Sequence, residues 1–208
     1  FLGTEKVQSL LRGDFDDDLV NIFNKVSLET QLNKAKGHGI DLYKRMDILN
    51  SLKVRPMILA ELAKFFNVKN IAEVGTAQGL QSITFASILS DEPESKVYTC
   101  DPVDVRSEIF SNYKNLEFIN GTSVNMRDKI KSDNKKIDLF WIDGAHDHYS
   151  VVGDVLTLIQ CSHKDSLWVF DDFDKRFGCY YDIQLILNAY VDNIILNLGK
   201  TVSDNPNI

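Results

Sequence analysis

At 208 residues, with 44% hydrophobic and 25% charged side chains, the chain has the composition of a folded globular protein and the length for one ordinary core. A formal net charge of −7 opposes binding to nucleic-acid phosphates or to an anionic membrane surface. No apolar run approaches the roughly 20 residues of a membrane helix, and the opening FLGTEKVQSLLRGD lacks the basic-then-apolar order of a signal peptide. It also lacks an initiator Met, as a fragment or a processed form would. The cysteines, Cys100, Cys161 and Cys179, are far apart and show no zinc spacing. Reduced thiols in a cytoplasmic setting are expected.

About the first 50 residues read as helical and polar: DDDLVNIFNKV and IDLYKRMDILNSL place apolar residues three and four apart. From there helices and short apolar strands alternate. PMILAELAKFF is a helix and NIAEVG a buried strand; LQSITFASIL is a helix and KVYTCD a strand; SEIFSNYK is helical and LEFING a strand. VNMRDKIK is a helix before KIDLFWID, a strong strand; YSVVGDVLTLIQ is helical, SLWVFDD a strand, YYDIQLILNAYV a helix and NIILNLG a last strand. This alternation predicts an α/β fold, a doubly wound, mostly parallel sheet covered on both faces. Residues 1–55 are the expected N-terminal helical cap and residues 56–208 the α/β domain, the two forming one compact unit.

In such a sheet, ligands bind beyond the carboxyl ends of the strands. The first end reads Glu73-Val74-Gly75-Thr76-Ala77-Gln78-Gly79 and runs into a helix. Gly75 and Gly79 permit a tight turn that brings a ligand close to backbone N–H groups, and the helix N-terminus favours a carboxylate or phosphate. The spacing is neither the dinucleotide G-x-G-x-x-G nor a P-loop. Asp101 lies 22 positions after Gly79 (101 − 79), where an acidic residue binds a ribose hydroxyl pair. Gly121-Thr122-Ser123 ends the third strand with small polar groups suited to an adenine edge; Asp143 ends the fourth and Asp171-Asp172 the fifth. Singly, each has a plain structural reading as a turn, a helix cap or a solvated strand end. Jointly they stand in the order an adenosyl ligand requires.

Together IAEVGTAQGLQS, VYTCDP, INGTS, FWIDGAHDHYSVVGDV and WVFDDFD resemble a class I S-adenosylmethionine-dependent methyltransferase, with its Rossmann-like fold. More narrowly they resemble the metal-dependent O-methyltransferases, both the catechol type and the type acting on macrolide sugars. The resemblance covers about residues 56 to 198. It implies that Glu73, Gly75 and Gly79 hold the methionine part of the cofactor, that Asp101 takes the ribose hydroxyls, and that Ser123 takes the adenine edge; Thr76 and Gln81 are further cofactor-binding candidates. It also implies that Asp143, Asp171 and Asp172 are magnesium ligands, with Asp143 serving cofactor, metal and catalysis together. The sequence departs from the family at Gln81, where a Ser is usual and Ser82 follows one place later. Only ten residues follow Leu198 (208 − 198), so the seventh strand of the family's sheet is expected to be missing or to lie outside this chain.

Three carboxylates at two strand ends make a hard oxygen site, which suits Mg²⁺ and is poor for zinc. Such an ion lowers the pKa of a bound hydroxyl. His146, where catechol-type relatives carry a Lys, is the expected base; its reference pKa of about 6.5 suits proton transfer near neutrality. His148 is expected to be a helix-start residue, Asp147 a charge at the helix N-terminus, and Tyr149 and Trp141 packing residues. The expected function is Mg²⁺-assisted methyl transfer from S-adenosylmethionine to a hydroxyl of a small molecule, a sugar or a phenol. The alternatives are a fold relative with another reaction, similar to the cephalosporin hydroxylases, and a non-catalytic adenosyl-nucleoside binder. An incomplete sheet edge would favour a homo-oligomer.

Overall fold

The computed structural model describes residues 54–106 and 108–189, with residues 17, 20, 21 and 24 as isolated positions. Most of the expected helical cap and the expected last strand, in residues 193–199, lie outside the described residues. The first helix, α1, runs Val54–Phe65 and begins two residues ahead of the expected domain boundary, with Pro56 in its first turn, where no helical N–H is lost. Strand β1 is Asn70–Val74 and helix α2 Leu80–Ile88. Strand β2 is Lys96–Asp101. The expected helix that follows is only a 3₁₀ turn, Glu108–Asn112, closed by the Tyr113 N–H on the Phe110 carbonyl at 3.3 Å. Strand β3 is Leu116–Asn120, helix α3 Ser123–Ser132, strand β4 Ile137–Ile142 and helix α4 Ser150–Leu158. Strand β5 is Ser162–Phe170 and helix α5 Tyr180–Ala189.

Among the described residues the strands form one five-stranded sheet in the order β3-β2-β1-β4-β5, with every neighbouring pair parallel. The order reverses direction between β1 and β4, the topological switch point at which doubly wound sheets open a crevice. Successive residues of a strand point to opposite faces, and the cores divide accordingly. Ile71, Val97, Leu139 and Trp141 join Leu59, Ile83 and Phe85 of α1 and α2 on one face. Ala72, Tyr98, Phe140 and Ile142 join Met126, Val151 and Ile183 of α3, α4 and α5 on the other. The inner strands β1, β2 and β4 are buried on both sides, which explains the near-continuous apolar runs in β2 and β4, whereas the edge strands β3 and β5 are only partly covered. Each such Ile or Phe, fully buried, contributes about 1.5–3 kcal/mol.

The start of β5 lies four residues earlier than SLWVFDD suggests, through a register shift between Ile137 and Leu139 against β5. At that end of the sheet, away from the candidate site, Asp138 accepts the N–H groups of Lys69 and Asn70 at 2.9 and 2.8 Å and meets His163 Nε2 at 2.9 Å. That histidine is thereby assigned to structure. The three cysteines are buried free thiols. Among the described residues no helix is long and apolar enough to cross a membrane.

Candidate active site

The ladder of the parallel sheet continues one residue past the strand ends. Gly75 donates its N–H to the Cys100 carbonyl at 3.0 Å, Asp143 donates to Val74 at 2.9 Å, and Asp171 donates to Ile142 at 3.0 Å. The residues after β1, β4 and β5 are therefore aligned on one rim by backbone hydrogen bonds. On this rim one ligand atom from each of Asp143, Asp171 and Asp172 lies within 4.8 Å of the others. Adjacent residues of an extended chain face opposite ways, so Asp171 and Asp172 converge only because the chain turns. Asp172 adopts φ +56°, in the left-handed region that Asp tolerates better than most residues.

The glycine turn sits directly against this rim. Gly75 has φ +97°, and a Cβ there would come within 1.9 Å of the Asp143 carbonyl oxygen. Gly79 has φ +87°, and a Cβ there would meet the Phe110 ring at 2.8 Å. The absence of both side chains lets the turn pack directly on the Asp143 backbone and the Phe110 ring, ahead of the first turn of α2. Gln81 lies in that turn, and its amide nitrogen and oxygen are both buried without a hydrogen-bond partner. A buried amide left unpaired is costly, and a ligand carrying both donor and acceptor groups would satisfy it.

Glu73 is 1% exposed, beneath the turn, where it accepts the hydroxyl hydrogen bonds of Ser82 and Thr99. Burial pushes its carboxyl up to about 8 against the two hydroxyl bonds; the Asp143 charge raises it further and Arg55 opposes. Ser82, the displaced family serine, is thus spent on Glu73 and does not face the rim. The Thr76 hydroxyl lies 2.6 Å from that of Thr99, in the same buried network. Asp101 holds the turn from the β2 side, accepting the Ala77 N–H at 3.0 Å and the Val103 N–H at 2.9 Å. Ser123 is buried at the start of α3, hydrogen-bonded to the Asp154 carboxylate of α4.

Each acid of the rim has a nitrogen-bearing side chain near it. The Arg55 guanidinium, from the first turn of α1, contacts Asp171 and stands 3.7 Å from Asp143. Its carbon lies 5.7 Å from the centre of the Trp141 ring. His146 Nδ1 contacts Asp172, and its side chain is half exposed. Burial raises the Asp143 carboxyl to about 6, with Arg55 and His146 lowering it and Asp172 raising it. The trio is a set of hard oxygens close enough, with small adjustments, for a cation that takes oxygens at about 2.0–2.1 Å. The residues therefore fit Mg²⁺.

His148 faces elsewhere: its Nδ1 lies 3.0 Å from Asp182, a buried acid of α5 that also accepts the Tyr149 N–H. Tyr149 was expected to pack, and it does not. It is 78% exposed at φ +74°, because Asp182 pins its backbone in a left-handed turn that throws the ring outward. Asp147 precedes α4 and accepts the Ser150 hydroxyl. Sequence reasoning missed Arg55 and Asp182. Asp182 is the single charge of YYDIQLILNA, a pattern that demands a partner without naming it, whereas Arg55 shares its helix with Glu61 and Lys64 and carries no such signal.

Residues 72–173 match the family model described as a methyltransferase domain, a span that holds every predicted site residue. No curated protein matches the chain. Among solved structures, an O-methyltransferase from Bacillus cereus in complex with SAH is similar, with a TM-score of 0.54 and 18% identity over 83% of this chain and 72% of that one. The SAH-bound methyltransferase PaMTH1 from Podospora anserina has a TM-score of 0.51 and 15% identity over 80% of this chain and 68% of that one. At such identities the structures speak for the fold. The chain carries a methyltransferase domain, with the family match supplying the activity class. In fold and in the order of its strand-end residues it resembles the class I S-adenosylmethionine-dependent methyltransferases, and among them the metal-dependent O-methyltransferases.

Proposed function

We propose that the protein transfers a methyl group from S-adenosylmethionine to a hydroxyl oxygen of a small molecule, a sugar or a phenol, with Mg²⁺ or another hard divalent cation held by Asp143, Asp171 and Asp172. The observation that carries this reading is the convergence of those three carboxylates on a rim shared with the glycine turn. S-Adenosylmethionine supplies an electrophilic methyl, and the cation supplies Lewis acidity that lowers the pKa of the acceptor hydroxyl. The chain does the rest. Gly75 and Gly79 let the turn close tightly against the rim beside the cofactor's methionine end, and the unpaired Gln81 amide offers that end a donor and an acceptor. Asp101 stands at the end of β2 to meet the ribose once its backbone partners yield.

Asp172 orients His146 through Nδ1 and leaves Nε2 to accept the acceptor's proton. The acceptor oxygen then forms its bond to the methyl carbon as the carbon–sulfur bond breaks, leaving S-adenosylhomocysteine and a methyl ether. No covalent enzyme intermediate is required, so rate comes from positioning and electrostatics.

Calorimetric titration with S-adenosylmethionine, with Mg²⁺ and with EDTA, tests the cofactor. Turnover on hydroxylated sugars and phenols then tests the chemistry. Micromolar binding and EDTA-sensitive turnover are expected. A well-folded sample that binds no S-adenosylmethionine overturns the reading. His146→Ala is expected to lower kcat by about 10²-fold or more with cofactor affinity kept; an unchanged rate and pH profile would remove His146 as base.

A further inference from the structure

Arg55 has no part in that chemistry, yet its guanidinium contacts Asp171 and stands 3.7 Å from Asp143, two of the three assigned ligands. We propose that Arg55 is the internal counter-ion of the metal site: it holds the carboxylates when no ion is bound, the divalent cation must displace it, and it thereby sets the site's metal affinity. This rests on the metal assignment above.

The geometry gives the reason. A hard cation needs carboxylate oxygens at about 2.0–2.1 Å, and Arg55 already contacts one of them, an Asp171 oxygen. Two cations sharing these oxygens would repel one another at short range in a partly dry setting. A planar guanidinium can bridge two carboxylates from one position, which a compact ammonium does less well. The helix behind Arg55 is fixed, since Met57, Leu59 and Ala60 are at most 2% exposed. The Arg55 side chain is 39% exposed, so it has a way out to solvent without moving α1. Trp141, whose ring faces the guanidinium, flanks the seat it would leave. Arg55 contacts Asp171, stands 3.7 Å from Asp143 and acts electrostatically on the buried Glu73, all of them acids.

The test is a Mn²⁺ titration of the full chain by calorimetry and electron paramagnetic resonance, comparing wild type, Arg55→Met, Arg55→Lys and Asp171→Asn. Arg55→Met is expected to bind Mn²⁺ about tenfold more tightly or better, the order for removing one unit charge a few ångströms from a divalent ion. Arg55→Lys, which keeps the charge but bridges less well, should fall between wild type and Arg55→Met, and Asp171→Asn should bind weakly. Mn²⁺ should also change tryptophan fluorescence in wild type and much less in Arg55→Met, because only the first loses a cation from the Trp141 ring. Equal or weaker binding by Arg55→Met, with wild type binding normally, overturns the counter-ion role and leaves the metal site standing. No Mn²⁺ binding by any of the folded proteins overturns both. Should Arg55→Met fail to fold, Arg55→Gln carries the same comparison with a polar side chain.

Discussion

Glu73 offers a quantitative test of how the buried network under the glycine turn is built. Its carboxyl rises from an ordinary 4.5 to about 8 because burial disfavours the charged form. At neutral pH it is therefore mostly protonated. An acid whose folded value lies above its unfolded value contributes stability that is full below pH 4.5 and is lost as pH rises through about 8. The whole rise corresponds to about 5 kcal/mol, of which roughly half is lost between pH 6 and pH 9. Glu73→Gln removes the titration while keeping an oxygen to accept the Ser82 hydroxyl. Urea unfolding of both proteins across pH 5 to 9, followed by tryptophan fluorescence, isolates this group because other titrations cancel in the difference. The variant should gain stability over wild type steadily as pH rises. A difference that stays flat across that range would refute the buried-acid reasoning, whatever its absolute size.

Gly75→Ala should be severe, because its Cβ would fall 1.9 Å from the Asp143 carbonyl and its φ of +97° is strained for Ala. A loss of about 3 kcal/mol or more is expected in chemical unfolding, and a loss under 1 kcal/mol would mean that the turn is not packed on the rim. Gln81→Leu should stabilise the ligand-free protein by about 1 kcal/mol, since it removes an unpaired buried amide. It should also weaken S-adenosylmethionine binding about tenfold or more by calorimetry; unchanged affinity would remove Gln81 from the cofactor site.

The sheet and the rim were legible in the sequence because both are written locally. Apolar strands alternate with helices along the chain, and the residue that ends each strand needs no tertiary information to be identified. Gly75, Asp143 and Asp171 fell on one rim once the strands were parallel, since backbone pairing aligns their ends. The 3₁₀ turn at Glu108–Asn112 and the early start of β5 were not legible, as they follow from connection geometry and a register shift.

Side-chain destinations were the larger gap. The serine beside Gln81 carried no assignment in the sequence, and its hydroxyl is bound to Glu73. Tyr149 read as an apolar packing residue, yet Asp182, 33 residues later, decides its backbone and turns it outward. By itself the sequence determined the α/β alternation and the kinds of groups at the strand ends, because periodicity and strand termini are properties of neighbouring residues. Tertiary structure alone decided that Asp171 and Asp172 face the same way and that Arg55 and His146 lie against them. Those outcomes depend on one left-handed residue and on a helix 88 positions before Asp143 (143 − 55), distances over which no local pattern carries information.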